Sequence, residues 1–594
     1  MEPLPEYEAR RSAWLAKQSL LRREFSRLGN ARLALAVIAA LLAWLAYGPG
    51  VLSAWWLLLP GLALLALFVQ HARVMRNRAF AERGLRYYGR AMDRLKNRWQ
   101  GKGEPGERFR DSNHVYAEDL DLFGKGSLFE LLCSARTAAG EDALAQWLLH
   151  PATLEEALAR QQAVQELNKR LDLREDIALL GEDVRSQVRA DVITRWGSRP
   201  PIPFQPLLRP IALVLSVTAF AFSLSYLFQW LPLWPLALIL LINGAIVYLT
   251  RHTVAQIVSS VETPASHLAI LALLIQRVEG ETFQAPLLLQ LIGQLQLGGL
   301  PAGLQIRRLE RLIDWLGAGS HPLIKIVQFA LLWPLQVALA IEMWRRQSGA
   351  HIGEWIKALG EFEALSALAS LAFERPGWSF PSLLPPTQAN FTATGLRHPL
   401  IEDQRCVPND VTLNNAPRLL IVSGSNMSGK STLLRTIGLN TVLAWAGAPV
   451  NARDLKLSPL QTGASIRVTD SLQDNRSRFF AEITRLRQIV DLTREATPVL
   501  FLLDELLSGT NSHDRRIGAD GLVKGLLRCN TIGLLTTHDL ALAEIATDLQ
   551  PAAANVHFED RIIDGKMEFD YQLRPGVVTH SNALELMRAV GLEV

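Results

Sequence analysis

The sequence predicts a multidomain chain: transmembrane helices, an all-α core and lever region, and a C-terminal α/β domain. Three observations predict it. The stretches 33–70 and 210–250 contain no Asp, Glu, Lys or Arg. The segments around them repeat apolar residues every three to four positions, the period of an amphipathic helix. Beyond residue 377, short apolar runs of strand type alternate with helical ones, as in an α/β layer. A chain of 594 residues has room for several such units.

Residues 1–32 read as a basic N-terminal helix carrying Arg10, Arg11, Lys17, Arg22, Arg23, Arg27 and Arg32. Residues 33–70 then form a transmembrane hairpin. The punctuation Gly48-Pro49-Gly50 splits them into segments of about 33–47 and 51–70. A secretory signal is a poor reading, because the apolar stretch begins late and is too long. Basic residues resume from Arg73 to Arg98, so both flanks of the hairpin are basic and both ends are expected in the cytoplasm. Lipid headgroups are the plainer partner for these arginines, with DNA as the other.

Residues 71–208 read as a cytoplasmic helical linker and first core part, with Pro151 and Thr153 marking a break and a cap. Pro200, Pro201 and Pro203 mark a linker. Residues 209–250 read as a second transmembrane hairpin, 211–229 and 233–248, with a re-entrant or interfacial element as the alternative. Residues 251–376 return to helices, one of them opened by Thr263 and Pro264 and running over 267–279. Residues 322–343 are apolar enough to suggest a fifth span. Lys325, Gln328, Gln336, Glu342 and the internal Pro334 favour a buried helix outside the membrane instead. An even number of spans also keeps the C-terminal domain, 377–594, on the ATP-rich side. The expectation is a multi-pass protein of the cell membrane whose core and C-terminal domains are cytoplasmic. Cys133, Cys406 and Cys529 are too far apart to suggest a disulfide framework or a metal cluster, and a net charge of +4 carries no global argument for nucleic acid.

The chemistry concentrates between Leu419 and Asp539. Leu419-Leu420-Ile421-Val422 is strand-like and leads into Gly424-Ser425-Asn426-Met427-Ser428-Gly429-Lys430-Ser431-Thr432, which fits G-x-x-x-x-G-K-[ST] between a strand and a helix. Such glycines let backbone N–H groups close on phosphate oxygens, Lys430 reaches the β- and γ-phosphates, and the Ser431 hydroxyl is a natural Mg2+ ligand. The apolar run 498–503 ends in Asp504-Glu505, and a second run, 531–537, delivers His538 to the same sheet edge. Asp504 is assigned to Mg2+, Glu505 to activation of the attacking water, and His538 to sensing the γ-phosphate. ATP and Mg2+ are the expected ligands.

These motifs resemble the ATPase domain of the MutS family of DNA mismatch-repair proteins, a branch of the ABC-type P-loop ATPases. The resemblance rests on His398-Pro399, Val407 to Val411, the Asn426-Met427 pair inside the phosphate loop, Asp474 to Glu482, Leu503-Asp504-Glu505, Ser508 to Asp514 and Thr536-Thr537-His538. A weaker likeness to the family's helical core covers Leu122 to Leu132, Trp147 to Pro151 and Leu365 to Leu371, and the tail Ser581 to Leu584 is similar to the end of the ATPase domain. The resemblance implies a homodimer through the ATPase domains. Ser508, Gly509, Thr510, Asn511 and Ser512 would form a loop near the partner's nucleotide, with Ser512 at the opposite γ-phosphate. Arg476, Ser477 and Arg478 would form the loop that couples nucleotide state to the core. It also implies double-stranded or branched DNA as a partner. No Phe-x-Glu reading segment precedes the core and apolar sequence stands where lever helices would lead to a DNA clamp, so mismatch recognition itself is not expected. The other function class is a membrane-associated ATPase scaffold or transport-associated protein without DNA binding; a dedicated ABC transporter subunit is disfavoured by the lack of a Leu-Ser-Gly-Gly-Gln signature.

Overall fold

Both apolar stretches fold as helical hairpins, and both helices of the first and the outgoing helix of the second run well past the apolar cores. The computed structural model describes residues 2–578 apart from 50, 183–188, 201, 206, 318–326, 426, 468–477, 508–509 and 564–565. The chain divides into two units, residues 1–104 and 105–594.

In the first unit, α1 (Pro3–Tyr47) and α2 (Leu58–Leu95) form an antiparallel pair. No break separates the basic segment from the apolar one; a single helix holds both. The hairpin turn carries exposed Trp44, Tyr47, Trp55 and Trp56, as at a membrane interface. At the other end of the apolar segment the Arg32 guanidinium lies 4.3 Å from the centre of the Phe68 ring. Beyond it the two helices continue as a stem held by aromatic contacts. Tyr7 meets Tyr88 edge-on at 5.5 Å, and Trp14 covers Gly84, where a Cβ would come within 2.6 Å of the indole.

In the second unit, helices α3 (Ala138–Leu149) and α4 (Leu154–Asn168) pack on the long central helix α9 (Ile352–Glu374). Thr153 and Glu156 form a reciprocal cap at the start of α4, as the Pro151 and Thr153 signals predict. Between these helices lies the second hairpin, α5 (Leu208–Leu227) and α6 (Leu233–Glu279), followed by α7 (Ala302–Gly317) and α8 (Trp333–Ser348). The expected helix start at Pro264 is not there: α6 passes through it. A proline removes one backbone bond, but Val261, Ala265 and Leu268 are all buried, so tertiary packing outweighs the local stop signal. Pro334, by contrast, sits in the first turn of α8 and not inside a helix. Among the described residues, four helices are long and apolar enough to cross a membrane: α1, α2, α5 and the first part of α6. They make this a multi-pass membrane protein.

The C-terminal domain holds a sheet in the order β9-β8-β3-β7-β6-β5. Its strands are β3 (Leu419–Ser423), β5 (Gln461–Ser465), β6 (Val499–Leu503), β7 (Thr531–Thr537), β8 (Ala553–Ile563) and β9 (Lys566–Pro575). All neighbours are parallel except β8 and β9. β3, β6 and β7 are buried throughout, which explains their unbroken apolar sequence. A smaller sheet holds β1 (Phe391–Leu396), β2 (Asn409–Leu413), β4 (Asp454–Leu457) and the short strand Ser382–Leu383. Helices α10 (Lys430–Ala446), α11 (Arg478–Leu492), α12 (Ser512–Leu527) and α13 (Leu540–Asp548) complete the domain.

Candidate nucleotide site

Register places three functional segments at one sheet edge. β7 lies between β3 and β6, with Leu535 beside both Ile421 and Leu503, so the residues that follow each strand emerge together. That is where an open parallel sheet presents its ligand crevice.

After β3 the chain turns into a loop that needs unusual backbone geometry. Gly424 has φ 150° and Gly429 has φ 105°, and Met427, which is 85% exposed, also lies at positive φ. Gly429 is the N-cap of α10, so the first N–H groups of that helix point at the loop. A side chain at Gly429 would meet the ring of Tyr571 on β9. Lys430 Nζ curls back to donate to the carbonyls of Gly424 at 2.8 Å and Ser425 at 2.9 Å. The ammonium keeps a third donor beyond these two. Burial holds the Lys430 pKa below its ordinary value, against the attraction of Glu505, Asp504 and Asp560. The hydroxyls of Ser425 and Ser428 are buried with no hydrogen-bond partner among the described residues. Unsatisfied hydroxyls, a desolvated ammonium and a helix N-terminus around one loop fit the oxygens of a phosphate chain.

Asp504 and Glu505 leave β6 opposite that loop. Thr536 holds both: its hydroxyl donates to Asp504 Oδ1 and accepts from the Glu505 N–H at 3.1 Å. Asp504 N–H donates to Ser465 O at 2.9 Å, tying the turn to β5. Glu505 takes φ 47°, uncommon for a residue with a Cβ, and its Oε1 lies 3.4 Å from His538 Nδ1. The structure thus brings Lys430, Asp504, Glu505 and His538 to one edge. Ser431 and Thr432 follow Lys430 in the first turn of α10. Oxygen donors from Ser431 and Asp504 are the chemistry a hard divalent cation takes.

Thr510, Asn511 and Ser512 lead into α12. Asn511 caps it by accepting from the Asp514 N–H at 2.9 Å, and Ser512 stands exposed in its first turn. Asn426, Ser508, Gly509, Arg476 and Ser477, together with the tail from 579, lie outside the described residues. Arg478 opens α11.

Both flanks of segment 468–477 are clamped to one distant stretch of chain. Before it, Ile466 and Arg467 donate backbone N–H groups to Asp119 Oδ1, each at 2.7 Å, and the Arg467 side chain donates to Asp121 at 2.8 Å. After it, Arg485 of α11 donates to the carbonyls of Ser112, Asn113 and His114. Sequence reasoning missed Thr536 as a positioning group, and missed Asp119, Arg485 and Tyr571 altogether. Thr536 closes an apolar run before His538, a signal in hindsight. Asp119 lies nearly 350 positions from its partners, and nothing local marks it.

Comparison with known families matches MutS domain V to residues 420–593 and MutS domain III to residues 113–192. The first match holds the phosphate loop, Asp504-Glu505 and His538; the second holds nearly all of the stretch that clamps segment 468–477. The chain thus carries domains III and V of the MutS family together with the apolar helices of a multi-pass membrane protein.

Proposed function

We propose that this protein is a membrane-anchored ATPase of the ABC type, in which hydrolysis at the phosphate loop drives the helical core. The observation that carries the reading is the pairing of unsatisfied Ser425 and Ser428 hydroxyls and the buried Lys430 with the Thr536-held acids across the crevice. ATP is the substrate. The loop N–H groups and Lys430 bind and orient its phosphates, and Ser431 and Asp504 hold Mg2+. That ion, when bound, supplies neutralisation of charge on the phosphates. Glu505 orients the water for in-line attack on the γ-phosphorus and takes up its proton, while ADP leaves with the broken bond's electron pair. His538, beside Glu505, senses the γ-phosphate.

The exposed start of α12 supports a dimer in which Ser512 and the 508–511 loop meet the partner's nucleotide, since a helix N-terminus favours an anion. The clamp of 112–121 on both flanks of 468–477 supports Arg476, Ser477 and Arg478 as the coupling loop. Coupling to DNA is part of the proposal, supported by charge. Residues 1–104 hold seventeen Lys and Arg against seven Asp and Glu, an excess far above the net +4 of the whole chain. The arginines next to the apolar segment suit anionic lipid instead, so a scaffold without DNA binding is the second reading. Turnover of the nanodisc-held protein with homoduplex, mismatched, branched or single-stranded DNA separates the two. Stimulation that weakens steeply with salt supports DNA coupling, and indifference to every DNA at low salt supports the scaffold.

A further inference from the structure

The second hairpin carries two polar side chains that lipid would not tolerate unpaired. Its outer surface is apolar and exposed, at Leu213, Val214, Val217, Phe220, Leu238 and Leu241, whereas Ser216 is 5% exposed and Asn243 is fully buried. Ser216 lies eleven positions before the end of α5 and Asn243 ten after the start of α6. At 1.5 Å per residue both stand about 15 Å from the turn, halfway through a hydrocarbon layer of about 30 Å.

Both reach the same short stretch of backbone. Asn243 Nδ2 donates to Ala330 O at 2.8 Å, and Gln336 Nε2 donates to Ser216 Oγ at 2.8 Å and Leu331 O at 2.9 Å, while the single Ser216 Oγ proton faces Leu331 O at 2.5 Å and Ala212 O of its own helix at 2.7 Å. The reason is covalent. Residues 327–330 are helical, Leu332 turns the chain at φ 47°, and Pro334 has no N–H to give to the carbonyl four residues back, that of Ala330. Asn243 supplies the missing donor.

The outgoing helix is pinned at its far end too. Leu335 and Leu339 of α8 pack with Ala212, Leu208 and Leu215 of α5 and with Ile246, Val247 and Val254 of α6. Twelve residues beyond Leu331, Met343 meets Arg209 at the start of α5. The buried pair Glu342 and Arg345 is there as well. It binds Ile202 N–H and the carbonyls of Trp196, Arg199 and Pro200, all just before α5 begins. Ionised groups therefore appear on α8 only where the hairpin itself starts, and its deep end is held by neutral amides and hydroxyls.

We infer that residues 327–334 form a helix break seated inside the membrane, docked at mid-depth on Ser216 and Asn243. Broken backbone survives at that depth only where protein groups satisfy it, and here the Ala330 and Leu331 carbonyls take side-chain donors from the hairpin and from Gln336. Val327 and Phe329, 56% and 40% exposed, face lipid. The consequence is mechanical. α8 joins the helical core to the centre of the hairpin, so a shift of the core is delivered to mid-membrane and not to a slack tether. The inference does not depend on ATP hydrolysis or on DNA.

The test uses the full-length protein in nanodiscs with Cys133, Cys406 and Cys529 replaced by serine and a single nitroxide attached through Phe329→Cys. Controls are Leu213→Cys on the lipid face and Lys357→Cys, whose side chain is 79% exposed. Collision with oxygen relative to a water-soluble nickel chelate should be high for position 329, close to that of 213 and well above that of 357. A value at 329 equal to that at 357 would overturn the inference. Adding Asn243→Leu should loosen the label at 329 and raise its contact with nickel; an unchanged spectrum would contradict docking at Asn243.

Discussion

Thr536→Val tests the architecture of the site without touching any charge. Valine matches threonine in shape, and position 536 is fully buried, so β7 keeps its packing. What is lost is one hydroxyl with two bonds: the donation to Asp504 and the acceptance from the Glu505 N–H. A hydrogen bond to a charged group contributes about 1.5–3 kcal/mol and an unpaired buried amide costs about 1–3 kcal/mol. Asp504 and Glu505 are only half-buried, so the lower ends apply and the fold should lose about 2.5 kcal/mol. The larger effect is on rate. Freed carboxylates misplaced by about 1 Å cost up to about a hundredfold, so kcat should fall about 10- to 100-fold while ATP affinity changes little. Phosphate release and nucleotide titration of the nanodisc-held variant measure the two. Thr536→Ser should restore most of the rate. A Thr536→Val rate within about twofold of wild type would refute the role given to this hydroxyl.

Three further outcomes are expected. Glu363 is buried in α9, and its side chain accepts the N–H groups of Arg136 at 3.0 Å and of Thr137, the N-cap of α3, at 3.2 Å, so it ties the start of α3 to another helix. Glu363→Leu should cost about 3 kcal/mol by orphaning those donors, read as a lower denaturation midpoint with unchanged slope. Burial lowers the His398 pKa to about 4 from 6.5, so in that window the unfolded chain binds the proton and the folded chain does not. Stability from this residue is therefore complete above pH 6.5 and is lost as pH falls toward 4, by on the order of 3 kcal/mol. The melting temperature of His398→Asn should fall less over that range than wild type, and parallel curves would count against it. At Gly533 a Cβ would sit 2.3 Å from Phe501 O across the β6 and β7 pair, so Gly533→Ala should part those strands and lower the yield of folded protein, measured by gel filtration in detergent.

The parts of this molecule legible in its sequence are those where one local pattern does all the work. The apolar runs 419–422, 498–503 and 531–537 became central parallel strands because residues buried on both faces leave no alternation to misread. The uncharged stretches became membrane helices for the same reason. Helix ends were another matter. Nothing in a charge count says that α1 continues without a break from Pro3 into the apolar segment, and Pro264 looked like a helix start because its burial is tertiary information. Pro334 signals the break before α8, but the partners of the carbonyls at that break, Ser216 and Asn243, lie about a hundred residues upstream. In the site, Lys430, Asp504, Glu505 and His538 were readable from motif and spacing. Thr536, Asp119 and Arg485 act through single contacts between remote segments, and such contacts leave no periodic trace.

The central claim is that the crevice at Lys430 hydrolyses ATP in the membrane-held protein. Phosphate release by wild type, Lys430→Ala and Glu505→Gln, each purified into nanodiscs and supplied with ATP and Mg2+, tests it most directly. The account predicts turnover by wild type alone, with Glu505→Gln still binding ATP. Turnover by Lys430→Ala equal to wild type would place the activity elsewhere and contradict the account.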